Sequence, residues 1–266
     1  MKIRCEIDGK NFTFDAAKEI DISIPVRFDD QQFKAFGAEG ASSIYYGGKD
    51  FTVSVASGAG CNCPVFTFSA HLHGTHTECV GHISKQKFIV QDVTHIPAYI
   101  CAELISIAPV KAKECGESYT PDFEKQDMVI TKKVLQQKIT NKTDALIIRT
   151  MPNDAQKLTR NYDDIPPPFF TNEAMQYICE LGVQHLLVDM PSVDRLQDEG
   201  RLSNHHIYWG VKQGSNDVSA LSSKTITEFI YVPDHVKDGT YILSINTGNI
   251  RSDAAPSRPV IYEVLS

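Results

Sequence analysis

The 266-residue sequence predicts an α/β fold with a β-rich first half, and three patterns carry that expectation. Apolar and polar residues alternate around a turn dipeptide in MKIRCEIDGKNFTFD, as in a two-stranded hairpin. Continuous apolar runs, ALIIRTM from Ala145 and HLLVDM from His185, mark strands buried on both faces in the second half. Helical segments with capping residues alternate with those runs, while no linker, low-complexity tract or repeat divides the chain. A single domain over residues 1–266 is therefore expected.

The opening hairpin follows from Asp8-Gly9, which supplies the positive φ angles of a tight turn. Further strand-like runs are IDISIPV from Ile20, DFTVSVA from Asp50, PVFTFSAHLH from Pro64 and AELISIAPV from Ala102. Near Thr131 the period changes, and TKKVLQQKI reads as a helix. Thr171 can cap a second helix that carries Asn172 and Glu173 in its first turn. That helix sets Met175, Ile178 and Cys179 on one face and stops at Gly182. Pro166-Pro167-Pro168 reads as a stiff extended loop.

Composition narrows the partners. Hydrophobic residues make up 42% and charged residues 22%, the balance of a water-soluble globular protein. The net charge of -7, with no basic stripe, sets nucleic acid aside. No apolar run approaches the ~20 residues of a membrane span, and the first residues lack the apolar stretch of a secretory signal. A cytoplasmic protein with no membrane partner is the expectation. The 7 cysteines follow no disulfide-framework spacing, so reduced thiols are expected, with Cys61 and Cys63 serving as small packing residues.

The chemistry concentrates in HLHGTHTECVGH, from His71 to His82. On an extended chain side chains two apart share a face, so His71 with His73, and His76 with Glu78, can each converge on one point. Gly74 interrupts the pairs, and His82 follows by one short turn. Four imidazoles and a carboxylate fall within twelve residues of a chain that has only 9 histidines. Nitrogen with carboxylate oxygen suits zinc, manganese or ferrous iron, and a closed thiolate zinc site does not fit. A polar strand with surface histidines is the plainer alternative. A second dense spot is Asn204-His205-His206, followed by TITEFIYV with Glu228; alone, these read as surface residues. Cys79 reads as a packing residue.

Taken together these segments resemble the bacterial kynurenine formamidase and isatin hydrolase family, often called the cyclase family, over most of the chain. The family's His-x-Gly-Thr-His-x-Asp run with a later histidine is matched by GTHTE from Gly74 and by His82. DMPSVD from Asp189 is similar to its D-T-P-S-V-D strand end, and LIIRT from Leu146 to its L-I-R-T strand. NHHIYWG, TITEF and GTYILSINTGNIRSDAAPSRPVI follow in the family's C-terminal order. Three departures stand out. Glu78 replaces aspartate. Leu72 occupies the place of the first histidine, leaving His71 or His73 to serve, with His71 preferred. The stretch from Val211 to Lys224 is longer than the usual link.

The resemblance implies a swivelling β/β/α domain, a homodimer or homotetramer, and a small-molecule substrate. It implies that His71, His76 and Glu78 hold a divalent ion, zinc or manganese, and that Glu78 bridges to a second ion held with His205 and Glu228. His73 and His206 are the alternative neighbours. His82 would be the general acid and base, with metal ligation as its competing role. Asp189, Ser192 and Asp194 would orient ligands or form a structural turn. Trp209, Phe169 and Phe170 could stack on an aromatic substrate, with core burial preferred. The implied reaction is hydrolysis of a C–N bond, as in an arylformamidase acting on N-formylkynurenine. A lactam such as isatin is the runner-up substrate, and a catalytically silent metal- or ligand-binding protein is the rival of another class.

Overall fold

The chain opens on the hairpin that Asp8-Gly9 predicts: β1 (Lys2–Ile7) and β2 (Lys10–Asp15) pair antiparallel with Ile7 opposite Lys10. Asp8 and Gly9 have φ of 51° and 73°, both in the left-handed region that a type I′ turn requires. The computed structural model describes residues 1–93 and 96–265. Short strands β3 (Ile20–Asp21), β4 (Ser42–Tyr45) and β5 (Pro64–Thr67) precede helix α1 (Ala70–His73), which leads into β6 (His76–Glu78). The middle of the chain supplies β7 (Ile100–Ile107), β8 (Val110–Lys111), β9 (Met128–Ile130), α2 (Lys132–Lys138) and β10 (Ala145–Thr150). Then come β11 (Phe169–Phe170), α3 (Asn172–Glu180), β12 (His185–Val188), α4 (Ser203–Trp209) and β13 (Thr225–Glu228). The last elements are β14 (Gly239–Ser244), β15 (Ala254–Pro256) and β16 (Val260–Glu263).

Nine strands form one mixed sheet in the order β15-β6-β13-β12-β10-β7-β14-β16-β3. The four central strands, β13, β12, β10 and β7, run parallel, and the flanking strands pair antiparallel. The apolar run in β10 serves both faces by simple alternation. Leu146 and Ile148 pack with Met175 and Ile178 of α3, whereas Ala145 and Ile147 pack with Ile22, Ile230 and Val232. Phe12 and Phe14 press the N-terminal hairpin onto Ile242, Val260 and Tyr262. The expected caps form: Thr131 Oγ1 accepts from the Val134 N–H, and Thr171 Oγ1 from the Ala174 N–H. The result is one α/β domain of the expected swivelling β/β/α kind.

Some local expectations fail where a strand former finds no partner. DFTVSVA contributes only an isolated bridge at Thr52 and a 3₁₀ turn, Val55–Ser57. PVFTFSAHLH ends as a strand at Thr67 and turns helical after Ser69. There His73 Nδ1 accepts the Ser69 N–H at 2.8 Å, a local bond that competes with a ladder. Cys61 and Cys63 are exposed and not packed. Among the described residues no helix is long and apolar enough to cross a membrane.

A buried cation fastens the strand ends beneath the functional region. Lys157 Nζ donates to Asp189 Oδ2 and to the Thr150 carbonyl, both at 2.7 Å, and to Asn153 Oδ1 at 3.0 Å. Asp189 also accepts the Thr150 N–H at 2.8 Å, so the ends of β10 and β12 are locked together. Lys157→Met would leave the Asp189 carboxylate buried without its counter-charge, and is expected to lower stability by about 3–5 kcal/mol. Urea unfolding measures this, and a loss well under 1 kcal/mol would contradict the structural role given to this pair.

Candidate metal centre

Strand β6 carries two faces. His76 and Glu78 are fully buried on one side. Thr75 and Thr77 turn to the other. Thr77 Oγ1 lies 2.8 Å from Thr227 Oγ1 and donates to Ser257 Oγ at 2.9 Å. Thr75 Oγ1 accepts the Ile24 N–H at 2.7 Å and donates to the Phe229 carbonyl. The hydroxyls thus clamp the strand to its neighbours while the imidazole and carboxylate point inward. Register supplies the rest of the frame, with Glu228 of β13 opposite His76 and the small Ala254 of β15 opposite Glu78.

Phe229, directly after Glu228, has φ of 56°, a left-handed conformation that is rare for a bulky side chain and costs about 1–2 kcal/mol. Its ring stacks on Phe33 at 4.1 Å and its N–H donates to the Met190 carbonyl, contacts that hold the turn. The strain stands at the one point where β13 delivers a carboxylate to the centre. Gly81 has a comparable positional role. A Cβ there would lie 2.9 Å from the Asp253 side chain and would also strike the Phe88 carbonyl, so only glycine lets the turn Val80–Ile83 lie against Asp253.

Around Glu78 the distances describe a closed donor set. His71 Nδ1 lies 3.2 Å and His82 Nδ1 3.8 Å from Glu78 Oε2, and His205 Nε2 lies 3.0 Å from Oε1. His76 Nε2 stands 3.5 Å from Glu228 Oε2, and His205 Nε2 stands 3.8 Å from Glu228 Oε1. Each inner imidazole spends its other nitrogen on an outer acceptor. His71 Nε2 donates to Asp253 Oδ2 at 2.8 Å, His205 Nδ1 to Asp194 Oδ2 at 2.6 Å, and His76 Nδ1 to the Gly74 carbonyl at 3.2 Å. Such outer bonds fix ring orientation and tautomer. Val193 N–H steadies Glu228 Oε1 at 3.1 Å, and Asp194 also accepts the Asn204 and His205 N–H groups that open α4.

The charges are coupled as the distances require. Burial would lower the His71 pKa, but Asp253 and Glu78 outweigh it and raise it to about 10. Burial opposes His205 ionisation too, yet Asp194 and Glu78 lift it well above the usual imidazole range. Burial alone would raise Glu78, and the neighbouring imidazoles of His82, His205 and His71 hold it well below the carboxylate range. His71 and His82 hold Asp253 low as well. Protons on His71 and His205 therefore supply the positive charge that this acidic cluster demands. His76 Nε2 and Glu78 Oε2 are buried without a well-formed hydrogen bond, although Glu228 Oε2 lies 3.5 Å from the first and His71 Nδ1 3.2 Å from the second, and that is costly unless another group satisfies them. Nitrogen and oxygen donors within 4.8 Å of one another, in the sets His71-His76-Glu78 and Glu78-His82-His205, fit a divalent cation.

The sequence-based candidates sort clearly. His71, His76, Glu78, His82, His205 and Glu228 come together at one point. His73 does not, because α1 is helical and residues two apart on a helix lie about 200° apart. Its Nε2 donates instead to the Glu39 carbonyl at 2.8 Å. His206 is buried but joins none of the donor groups among the described residues. Asp194 orients His205, whereas Asp189 serves Lys157 and Ser192 Oγ accepts the Asp194 N–H in a turn. Trp209 is core: its Nε1 donates to the Lys224 carbonyl, and its ring lies 5.4 Å from His205. Phe170 is core as well, and Phe169 is buried at the wall of a cavity. Cys79 is buried, and burial pushes its thiol up to about 11. Asp253 was not anticipated. It reaches the centre only because β15 pairs with β6, a contact across 175 residues that no local spacing announces. The cavity beside Phe169, about 700 Å³ and lined by Phe36, Tyr162, Pro167 and Arg195, contains none of the donors, so donor geometry and not volume locates the centre.

Two outcomes follow from this geometry. His71→Ala is expected to weaken divalent-ion binding by more than the roughly 10–100-fold typical of losing an outer partner, and His73→Ala to leave it nearly unchanged. The reverse order would contradict the placement of His71. Because His71 and His205 have raised pKa values, both are protonated at neutral pH without an ion, so binding must expel protons and tighten as pH rises. Titration calorimetry in buffers of different ionisation enthalpy detects the release. Heats independent of the buffer would contradict it.

Comparison with known proteins bears on the family and the fold. The family model described as "Putative cyclase" matches residues 20–195. Kynurenine formamidase of Bacillus cytotoxicus (strain DSM 22905 / CIP 110041 / 391-98 / NVH 391-98) is 28% identical over 197 residues, covering 73% of this chain and 77% of that protein. Among solved structures, isatin hydrolase A from Labrenzia aggregata, bound to benzyl benzoate, superposes with a TM-score of 0.60 at 14% identity over 92% of this chain and 93% of that one. A protein described as a predicted metal-dependent hydrolase from Bacillus stearothermophilus gives 0.59 at 14% identity, over 92% of this chain and 98% of that one. At such identities the structural likeness speaks for the fold, and the family match speaks for descent: the chain belongs to the cyclase family.

Proposed function

We propose that this protein is a divalent-metal-dependent hydrolase that cleaves the C–N bond of an aryl formamide, with zinc or manganese as its ion. The observation that carries the reading is the pair of buried atoms His76 Nε2 and Glu78 Oε2, which lack a well-formed hydrogen bond among converging imidazoles. His71, His76 and Glu78 would hold one ion. His205 Nε2 lies 3.0 Å from Glu78 Oε1 and 3.8 Å from Glu228 Oε1, so Glu78, His205 and Glu228 would hold a second ion, and Glu78 would serve both. The substrate class is supported by the 28% identity to a kynurenine formamidase. When bound, such an ion acidifies water and polarises a carbonyl oxygen.

The chain's own groups supply the proton traffic. Hydrolysis forms a bond from a water oxygen to the carbonyl carbon and breaks the bond from that carbon to nitrogen; one proton leaves the water and one reaches the departing nitrogen. His82 carries it. It is less buried than Glu78, and its Nδ1 lies 3.6 Å from Asp253 Oδ2, which steadies the ring when it is charged. Imidazole is suited to both halves of the task near neutral pH. His71, His82 and Asp253 are the more exposed members of the cluster, and they mark the side from which a small molecule enters.

His82→Ala is expected to keep its bound ion and lose roughly 10²–10⁴ in turnover of N-formylkynurenine. Elemental analysis beside the rate measurement separates the two roles, since loss of the ion would make His82 a ligand. Isatin is the informative comparator: opening of isatin with no formamide turnover would move the substrate class to lactams. Tight ion binding without turnover of either compound would overturn the hydrolase reading.

A further inference from the structure

The cavity beside Phe169 lies apart from the metal donors and has a composition of its own. Its volume of about 700 Å³ is in the range of small-molecule sites, and Phe36, Pro167 and Phe169 give it an apolar wall. That wall is held in place from behind. Phe33 and Ala35 are buried in one cluster with Tyr162, while the Lys34 N–H donates to the Arg160 carbonyl at 3.0 Å and the Lys34 carbonyl accepts the Tyr162 N–H at 2.8 Å. Phe36 follows this anchor directly with φ of 61°, a left-handed conformation rare for a bulky side chain, and its ring is left 43% exposed. Phe169 is fixed by Tyr119, whose ring centroid lies 4.7 Å from its own. Backbone strain of this kind, presenting an aromatic ring to water, is found at ligand clamps.

Charge identifies the class of ligand. Glu124, Asp127 and Asp163 line the same cavity, and Arg195 is its one cation among the described residues. The guanidinium is already paired: Arg195 Nη2 lies 3.0 Å from Glu124 Oε1, and Nε lies 3.2 Å from Asp127 Oδ2. Asp163 takes part in no ion pair among the described residues, and its Oδ2 accepts only the Gly37 N–H, at 3.0 Å. An anion entering here meets three carboxylates and a cation that is engaged elsewhere. A metal ion leaves the apolar wall unused, and these carboxylates do not converge into a donor group among the described residues. An organic ammonium with an apolar body uses both halves of the lining, its charge beside Asp163 and its body against Phe36 and Pro167.

We propose that this cavity is a binding site for a small organic amine, independent of any ion at the metal centre. Phenethylammonium is the probe, and hydrocinnamate and phenethyl alcohol carry the same apolar body with a negative charge and with none. In a titration followed by backbone amide NMR, the ammonium should shift the signals of Gly37, Asp163 and Arg195 with a Kd on the order of 1 mM, and hydrocinnamate should bind at least roughly tenfold more weakly. Asp163→Asn keeps an acceptor for the Gly37 N–H and removes the charge, so it should weaken the ammonium by roughly tenfold and leave phenethyl alcohol unchanged. Phe36→Asn suits the left-handed turn and removes the ring, so it should weaken the ammonium and the alcohol alike. Stripping the protein with a chelator should change none of these values, which keeps the result separate from the hydrolase reading. Hydrocinnamate binding as tightly as the ammonium, shifts centred on the metal donors, binding lost with the ion, affinity that neither variant alters, or no binding at roughly tenfold above the expected Kd would each overturn the proposal. If a variant unfolds, the comparison of the three probes and the position of the shifts in the unmodified protein decide.

Discussion

Everything in the site depends on one buried carboxylate. Glu78 is fully buried, and a carboxylate in that position is tolerated only when charge and hydrogen bonds replace the water it has lost. Three imidazoles, His71, His82 and His205, approach it from α1, from the Val80–Ile83 turn and from α4. Those elements would have no reason to meet without a common counter-charge. Strand β6, one in from the edge of the sheet, is where they can, because it is short, is flanked by β13 and β15, and sends only alternate side chains inward.

The outer ring of acceptors turns this cluster from a collection of charges into a directed set of donors. Asp253 behind His71, Asp194 behind His205 and the Gly74 carbonyl behind His76 each occupy one ring nitrogen and leave the other facing the centre. Holding those partners in place requires unusual backbone at two points, the left-handed Phe229 and the close approach at Gly81. Both lie within three residues of a donor, which is where strain is expected if the surrounding sheet over-determines the geometry. Two of the three departures from the pattern that the sequence resembles also meet here. The displaced histidine, His71, and the longer acid, Glu78, face each other across 3.2 Å, so a shift in one is matched by reach in the other.

Much of this is legible in the amino-acid sequence. The hairpin at Asp8-Gly9, the capped helices and the doubly buried β10 follow from local chemistry and period, and the convergence of His76 with Glu78 follows from strand alternation. The pairing of His71 with His73 did not hold, because it assumed an extended chain where a four-residue helix forms. His205 and Glu228 read alone as surface residues; Glu228 is buried by the order of strands in the sheet and His205 by the packing of α4 in the core, neither of which residue spacing encodes. Asp253 was invisible for the same reason, being an ordinary loop aspartate until β15 sets it beside the Val80–Ile83 turn.

The central claim is that His76 Nε2 and Glu78, buried without well-formed hydrogen bonds at the core of this site, are cation ligands. Anomalous diffraction from crystals grown with zinc or manganese tests it most directly. The account predicts a peak about 2.0–2.2 Å from both His76 Nε2 and a Glu78 carboxylate oxygen. A peak elsewhere on the chain, or a His76 Nε2 that instead hydrogen-bonds to protein with no peak beside it, would contradict the claim.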